Sequence, residues 1–210
     1  MIPSITTSVI TGDIIKSRSQ VTPEVWIKVL KEALSYLSND KAYWEIYRGD
    51  SFQIEIKDIS SCFLAALYIK ACIKSIHGLD VRLAIGIGNK TYEGENVTES
   101  NGEAFVFSGE TLETLKKEKQ NLRIKTNHSE IDHELNLYFK LALITMDNWT
   151  INSAEIVKLS IENPEALQSE LGKLTGINQN AISSRQKRAR LDEIMELEFM
   201  YRKKISTYLL

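Results

Sequence analysis

Tyr47-Arg48-Gly49-Asp50-Ser51-Phe52 is the stretch on which the fold turns. Before it, residues 42–47 are rich in aromatic and β-branched side chains; after it, Phe52-Gln53-Ile54-Glu55-Ile56 alternates apolar and polar with period two. Two such runs joined by a Gly-Asp turn predict a β-hairpin. A carboxylate at the tip of a hairpin can lean over the sheet and hold a cation, and Asp50 gains meaning from a second acidic residue, Asp13, near the end of the first predicted strand.

Working outward, residues 7–15 read as a strand broken at Gly12-Asp13, followed by a polar loop, Lys16-Ser17-Arg18-Ser19-Gln20. Thr22-Pro23 predicts a helix start, with Thr as N-cap and Pro at the first helical position. That helix runs to about Leu37, with Val25, Val29, Leu30, Ala33, Leu34 and Leu37 on its apolar face. Residues 59–76 read as a second helix stopped by His77-Gly78, and residues 79–88 as a strand. The order strand, helix, strand, strand, helix, strand is the split βαβ, or ferredoxin-like, plan of an α+β fold. Gly86-Ile87-Gly88 either lets a ligand approach the backbone or gives the chain a sharp exit from the sheet. A polar loop over 92–102, a helix over 104–119 and a short strand over 122–125 complete a domain spanning residues 1–126.

In the split βαβ plan the first and third strands are neighbours, so the end of strand one faces the hairpin. Asp13 and Asp50 then converge, and the Ile14 carbonyl completes an oxygen set suited to Mg²⁺ or Mn²⁺ on a triphosphate. The competing reading is local: Asp13 ends a strand and Asp50 makes a turn.

Gly12-Asp13-Ile14-Ile15-Lys16-Ser17-Arg18, Arg48-Gly49-Asp50-Ser51-Phe52-Gln53 and Arg82-Leu83-Ala84-Ile85-Gly86-Ile87-Gly88 resemble the SatD family of bacterial proteins. The N-terminal domain of that family is similar to class III nucleotidyl cyclase and diguanylate cyclase catalytic domains. The resemblance covers about residues 5–126. It implies metal binding by Asp13, Ile14 and Asp50, and a nucleotide held near Lys16, Ser17, Arg18, Arg48 and Gly49. Arg48 and Ser51 stand where the cyclase Gly-Gly-Asp-Glu-Phe signature has its first Gly and its Glu. Val106 and Glu110 stand where those enzymes place an Asn and an Arg on the transition state. Losing fixed donors at a developing phosphorane costs orders of magnitude in rate, so the resemblance implies a metal-nucleotide pocket more than a fast enzyme. Arg18, Arg48 and Arg82 are the cations available to substitute.

The second part, residues 127–210, reads as all-helical, and residues 165–190 have helix-turn-helix spacing. Gly172, Gly176 and Ile182 supply the small crossing residue, the turn glycine and the apolar pin, with Leu171, Leu174 and Ile177 as shared core. From Gln179 to Arg190 there are four basic residues and no acidic one. Gln179, Asn180, Ser183 and Ser184 are placed to reach base edges, and Arg185, Lys187 and Arg188 to reach phosphates. The plainer alternative is a three-helix bundle with a solvated basic face. Ile194, Leu197, Tyr201, Ile205 and Tyr208 share one face of a closing helix, which either packs on the N-terminal half or forms a homodimer seam.

A net charge of −2 excludes a wholesale polyanion binder and confines any nucleic-acid contact to a patch. No stretch of 18 apolar residues appears, and the N-terminus lacks a signal-peptide pattern, so a cytoplasmic protein without membrane contact is expected. Cys62 and Cys72, ten apart on one helix, are too distant to bridge. His128, Asp132 and His133 read as surface loop chemistry rather than a zinc site. The expected function is a DNA-binding transcriptional regulator with a nucleotide-binding domain. The alternatives are an active Mg²⁺-dependent nucleotidyl cyclase, with the helical half as accessory, and an inactive protein-interaction scaffold.

Overall fold

The computed structural model describes residues 5–19 and 22–209; Gln20, the end of the expected polar loop, lies outside them. Among the described residues one six-stranded sheet carries eight α-helices. The class is α+β.

The elements run β1 (Ile5–Ile15), α1 (Pro23–Leu37), β2 (Trp44–Tyr47), β3 (Ser51–Ile56), α2 (Cys62–Lys74), β4 (Asp80–Tyr92), β5 (Asn101–Gly102), α3 (Glu103–Glu118) and β6 (Leu122–Lys125). Single 3₁₀ turns at Ser17–Ser19, Lys41–Tyr43 and Ile59–Ser61 punctuate them. The sheet order is β2-β3-β1-β4-β5, antiparallel throughout, with β6 added parallel to β4. β1 and β3 are therefore adjacent, as the hairpin reading requires.

Several boundaries differ from expectation, each for a local reason. β1 is continuous through Gly12, because the Phe52 ring lies over that position and a Cβ there would sit 2.5 Å from Phe52 Cζ. β2 begins two residues late, since the Asp40 carboxylate accepts from the Ala42 amide and caps a 3₁₀ turn. Asp58 does the same at the Ser60 amide, so the second helix starts at Cys62 rather than Ile59. On α1 the buried face is Trp26, Leu30, Ala33 and Leu34, while Val25 is exposed. Gly86 and Gly88 serve neither a ligand nor an exit, because β4 continues to Tyr92 and α3 lies directly on their backbone. A Cβ on Gly86 would be 2.2 Å from the Ala104 carbonyl oxygen, and one on Gly88 2.7 Å from Glu103 Cβ.

Alternation along β1 sends Ile10 and Ile14 toward Trp26, Leu30 and Phe63 on the α1–α2 side. Val9 and Thr11 face α3: Val9 packs with Val97, Ala104 and Phe105, and the Thr11 hydroxyl donates to Ser108 Oγ at 2.8 Å. Asp13 falls on this α3 side. That choice of face decides its neighbours.

The remaining helices are α4 (Ser129–Met146), α5 (Ile151–Glu162), α6 (Gln168–Thr175), α7 (Gln179–Ala189) and α8 (Leu191–Tyr208). α4 carries Glu130 and Asp132 in its first turn, where the helix dipole favours acids. α5 is capped by Thr150 Oγ1 at the Ser153 amide. α8 packs onto the N-terminal half: Tyr201 Oη donates to the Ile59 carbonyl at 3.0 Å, and its ring stacks with Phe63 and Phe139. Leu197 is half-buried and Tyr208 exposed, so that face is narrower than its spacing suggested. One hydrophobic core runs from β1 through α2 into α4, α5 and α8. No described helix is long and apolar enough to cross a membrane.

A buried ion network ties the halves together. Lys70, fully buried on α2, reaches Asp80 Oδ1 at 2.8 Å and Asp147 Oδ1 at 2.7 Å, and Lys74 reaches Asp80 Oδ2 at 3.2 Å. Both cysteines are free and buried; burial pushes the Cys62 thiol up to about 12 and the Cys72 thiol up to about 11. Both are thiols, not thiolates, at neutral pH.

Candidate functional site

The hairpin turn is tight because Arg48 (φ 53°) and Gly49 (φ 88°) both take left-handed backbone, and the strands close at the Tyr47–Ser51 pair. The conformation comes easily to Gly49 and at a cost to Arg48. Asp13 pairs with Ser51 across the β1–β3 ladder, and the Ile14 amide donates to the Asp50 carbonyl at 3.0 Å. The two aspartates therefore meet at one strand end, as the topology demands.

Their side chains are engaged differently. Asp50 Oδ2 accepts from the Ser17 hydroxyl at 2.6 Å, which fastens the hairpin tip to the 3₁₀ turn after β1. Asp13 Oδ2 accepts from Arg82 Nη1 at 3.0 Å, the two residues being register partners on β1 and β4. Asp13 Oδ1 and Arg82 Nε are both buried without a hydrogen-bond partner. Burial lifts the Asp13 carboxyl above its ordinary value, against the opposing pull of Arg82 and Lys116, and the nearby Asp50 charge pushes the same way as burial. Tyr47, on the same face, is raised by burial as well.

A buried carboxylate oxygen lacking a donor is where a cation fits. Mg²⁺ is commonly held by one or two carboxylates plus a ligand's phosphates, so Asp13 and Asp50 are a sufficient protein contribution. Such an ion would neutralise phosphate charge. The chain's own groups would do the rest: Arg82 orients Asp13, and Ser17 orients Asp50. Among the described residues no cluster of three His, Cys, Asp or Glu is placed to hold a metal by itself. Asp132 is structural, accepting from the Thr126 amide at 2.8 Å and Lys125 Nζ at 2.9 Å.

The residues expected to hold a nucleotide are spread. Ser17 is buried under Asp50, Lys16 has left-handed backbone (φ 65°), and Arg18 and Arg48 are exposed. Val106 and Glu110 are exposed on α3 and bring no cation over the strand end. Arg82 and Lys116, which act on Asp13, come from β4 and α3; register, not any motif, brings them there.

The second candidate region is α6–α7. Gly176 is left-handed (φ 71°), and Asn178 caps α7 by accepting from the Ala181 amide at 2.9 Å. A Cβ on Gly172 would be 2.6 Å from the Ile177 carbonyl oxygen, so only glycine lets the turn close this tightly. Leu171 and Ile182 are buried and Ile177 half-buried, whereas Leu174 is exposed and outside the shared core. On α7, Gln179, Asn180, Ser184, Lys187 and Arg188 are exposed and Ser183 is partly so. Arg185 turns inward, with Nη1 3.6 Å from Glu155 Oε2 on α5. Gln186 accepts from Gln168 at 2.8 Å and pins α7 to α6.

No protein-family model matches this chain, and no curated protein matches it.

Proposed function

We propose that the chain is a DNA-binding transcriptional regulator of bacterial, cytoplasmic type, with a sheet domain that binds a nucleotide or metal-nucleotide at the Asp13–Asp50 strand end. The observation that carries it is the α6–α7 pair: a glycine-closed turn presents a helix whose outer face holds Asn180, Ser184, Lys187 and Arg188 and no acid. Polar side chains of this kind read base edges, and the cations hold phosphates. Recognition helices in helix-turn-helix units are used this way, commonly as homodimers on two half-sites.

The strand order β2-β3-β1-β4 supports a ferredoxin-like, cyclase-type reading of the sheet and the resemblance to the SatD family. The orphaned Asp13 Oδ1 supports a metal there.

Selection of bound duplexes from a random-sequence pool, followed by titration at several salt concentrations, tests the DNA reading. Lys187→Ala/Arg188→Ala is expected to flatten the salt slope by about two, one per lost phosphate contact. No enrichment from the pool would sink it. Calorimetry of a nucleotide panel with Mn²⁺ tests the sheet site, with loss of binding expected in Asp13→Asn/Asp50→Asn.

A further inference from the structure

A cavity of about 900 Å³ opens where the sheet meets the helical half. Its walls come from the end of β1, the turn between α2 and β4, the end of α3, and the start of α5. Lys16, Lys74, Arg82, Lys116 and Lys119 line it, against two carboxylates, Asp80 and Asp147. Those carboxylates are already held by Lys70 and Lys74, so the charge left to face a ligand is positive. Arg82 lines this wall while paired with Asp13, Lys116 is paired with Glu113 at 2.7 Å, and Lys119 has no ion-pair partner among the described residues.

Two further features fit an anion. Thr150, Ile151 and Asn152, the cap and first turn of α5, lie on the wall, where backbone amides precede the helix's own hydrogen bonds. Lys16 (φ 65°) holds left-handed backbone, a costly conformation for a side-chain-bearing residue, whereas Lys119 (φ 54°) takes it as the C-cap of α3. Conformational cost of this sort gathers at ligand clamps.

The same wall touches α7. Trp149 lines the cavity, and its buried indole N–H donates to the Ala189 carbonyl, the last of α7, at 2.9 Å. α5, starting at the cavity, also holds α7 through Glu155–Arg185 and a 3.4 Å hydrogen bond from Gln186 to Ser160. A ligand that orders this wall therefore acts on the position of α7.

We propose that the cavity is an effector site for a small phosphorylated ligand, and that its occupancy is passed to α7 through Trp149 and the first turn of α5. The site adjoins the Asp13–Asp50 metal position, with Arg82 and Lys116 common to both, but needs no metal; the transmission rests on the DNA-binding reading of α7.

The test uses the full chain, without divalent cations, at constant ionic strength. Inorganic phosphate, pyrophosphate and tripolyphosphate are titrated calorimetrically. Saturable binding of at least one is expected, weakened about tenfold in Lys116→Ala/Lys119→Ala by loss of charge-assisted contacts. It is expected to be unchanged in Lys187→Ala/Arg188→Ala, which removes α7 as the binding surface. Binding of none of the three, or binding lost only in the α7 variant, overturns the site. With a bound duplex in hand, the tightest of these anions is expected to change DNA affinity severalfold in the wild type. It should not do so in Trp149→Phe, which keeps an aromatic ring at the site, shrinks it and drops the N–H. Equal DNA affinity with and without the anion overturns the transmission. A chain that binds the anion but selects no DNA fails the DNA reading and leaves the site standing.

Discussion

Asp13 and Arg82 face each other across the β1–β4 ladder with one hydrogen bond made and one buried polar atom orphaned on each side, Asp13 Oδ1 and Arg82 Nε. An ion pair kept only to hold two strands together would use the second oxygen and the second nitrogen too, since an unsatisfied buried polar group costs about 1–3 kcal/mol. The half-made pair sits between the Asp13–Asp50 strand end and the basic cavity.

The direction of the Asp13 shift gives the first prediction. Its folded pKa lies above the unfolded value of 3.8, so the native state holds the proton more tightly than the unfolded chain. The stabilisation this provides is complete below 3.8 and is lost as pH rises through the folded pKa. At pH 7 the ionised carboxylate is therefore a burden, and Asp13→Asn, whose amide oxygen still accepts from Arg82, should be at least as stable as wild type. Urea unfolding at pH 4 and pH 7 checks it; an Asn variant several kcal/mol weaker at pH 7 would contradict it. Mn²⁺ should raise the melting temperature of the wild type alone.

The second prediction concerns the turn before α7. Gly172→Ala puts a Cβ 2.6 Å from the Ile177 carbonyl, a backbone atom that moves only with the turn. The cost expected of such overpacking is about 1–3 kcal/mol. DNA binding should fall further than Lys187→Ala alone causes, because the whole reading face is displaced. Chemical denaturation and the duplex titration read the two effects separately, and a variant with unchanged stability and affinity would remove the crossing-glycine assignment.

What the sequence made legible follows from range. Arg48-Gly49-Asp50 announces its turn within a few residues, and antiparallel pairing then brings Asp13 to Asp50. Arg82 opposite Asp13 depends on a register 69 residues away in sequence, and no local pattern fixes it. The cavity is assembled from four segments, so its lysines read individually as surface charge. Thr150, Asn152 and Ser153 are all good capping residues, and only the packing of α5 selects Thr150. The expected apolar stripe of α1 included Val25 and omitted Trp26, because the helix buries its indole against the sheet and turns the valine to solvent.

Gly86→Ala should be harsher than most surface-sized changes. Its Cβ would meet the Ala104 carbonyl oxygen at 2.2 Å and the Ser108 amide at 2.5 Å, so α3 must lift from β4. Lifting α3 disturbs the Thr11–Ser108 hydrogen bond and moves Lys116 away from Asp13. Expected are a loss of about 3 kcal/mol or more, at the upper end for overpacked sites, and weaker anion binding in the cavity. A near-neutral result in thermal unfolding would mean that α3 yields more easily than its seat on β4 implies.

Cys62 and Cys72 should resist thiol reagents in the native state. Burial holds both as neutral thiols, with values up to about 12 and 11, and the thiolate is the reactive form. Raising pH from 7 to 9 should therefore speed labelling of the native chain far less than labelling of the unfolded chain, whose thiols titrate in that range. Timed labelling with and without denaturant checks this. Rapid native labelling of Cys72 would mean that α2 opens locally, since its thiol lies under Tyr68 and Ala33.

Lys70 offers the sharpest stability test. Its ammonium is fully buried and bridges Asp80 at the start of β4 to Asp147 at the end of α4, so it binds the sheet half to the helical half. Lys70→Met keeps the length of the side chain and removes the charge, leaving the Asp147 carboxylate without an ion-pair partner among the described residues and Asp80 with Lys74 alone. Breaking a buried pair by removing one partner costs about 3–5 kcal/mol; the partial exposure of Asp147 puts the expected loss near the lower figure. Replacing all three at once, Lys70→Met with Asp80→Asn and Asp147→Asn, should recover most of it, because no carboxylate is then stranded. If the triple variant is no more stable than the single one, the loss in Lys70→Met comes from packing and not from the orphaned charges. Measured together with anion binding, the pair of variants also separates the network from the cavity beside it: the triple variant should regain stability while binding phosphate at least as well as wild type, since it removes the cavity's two carboxylates and keeps Lys16, Arg82, Lys116 and Lys119.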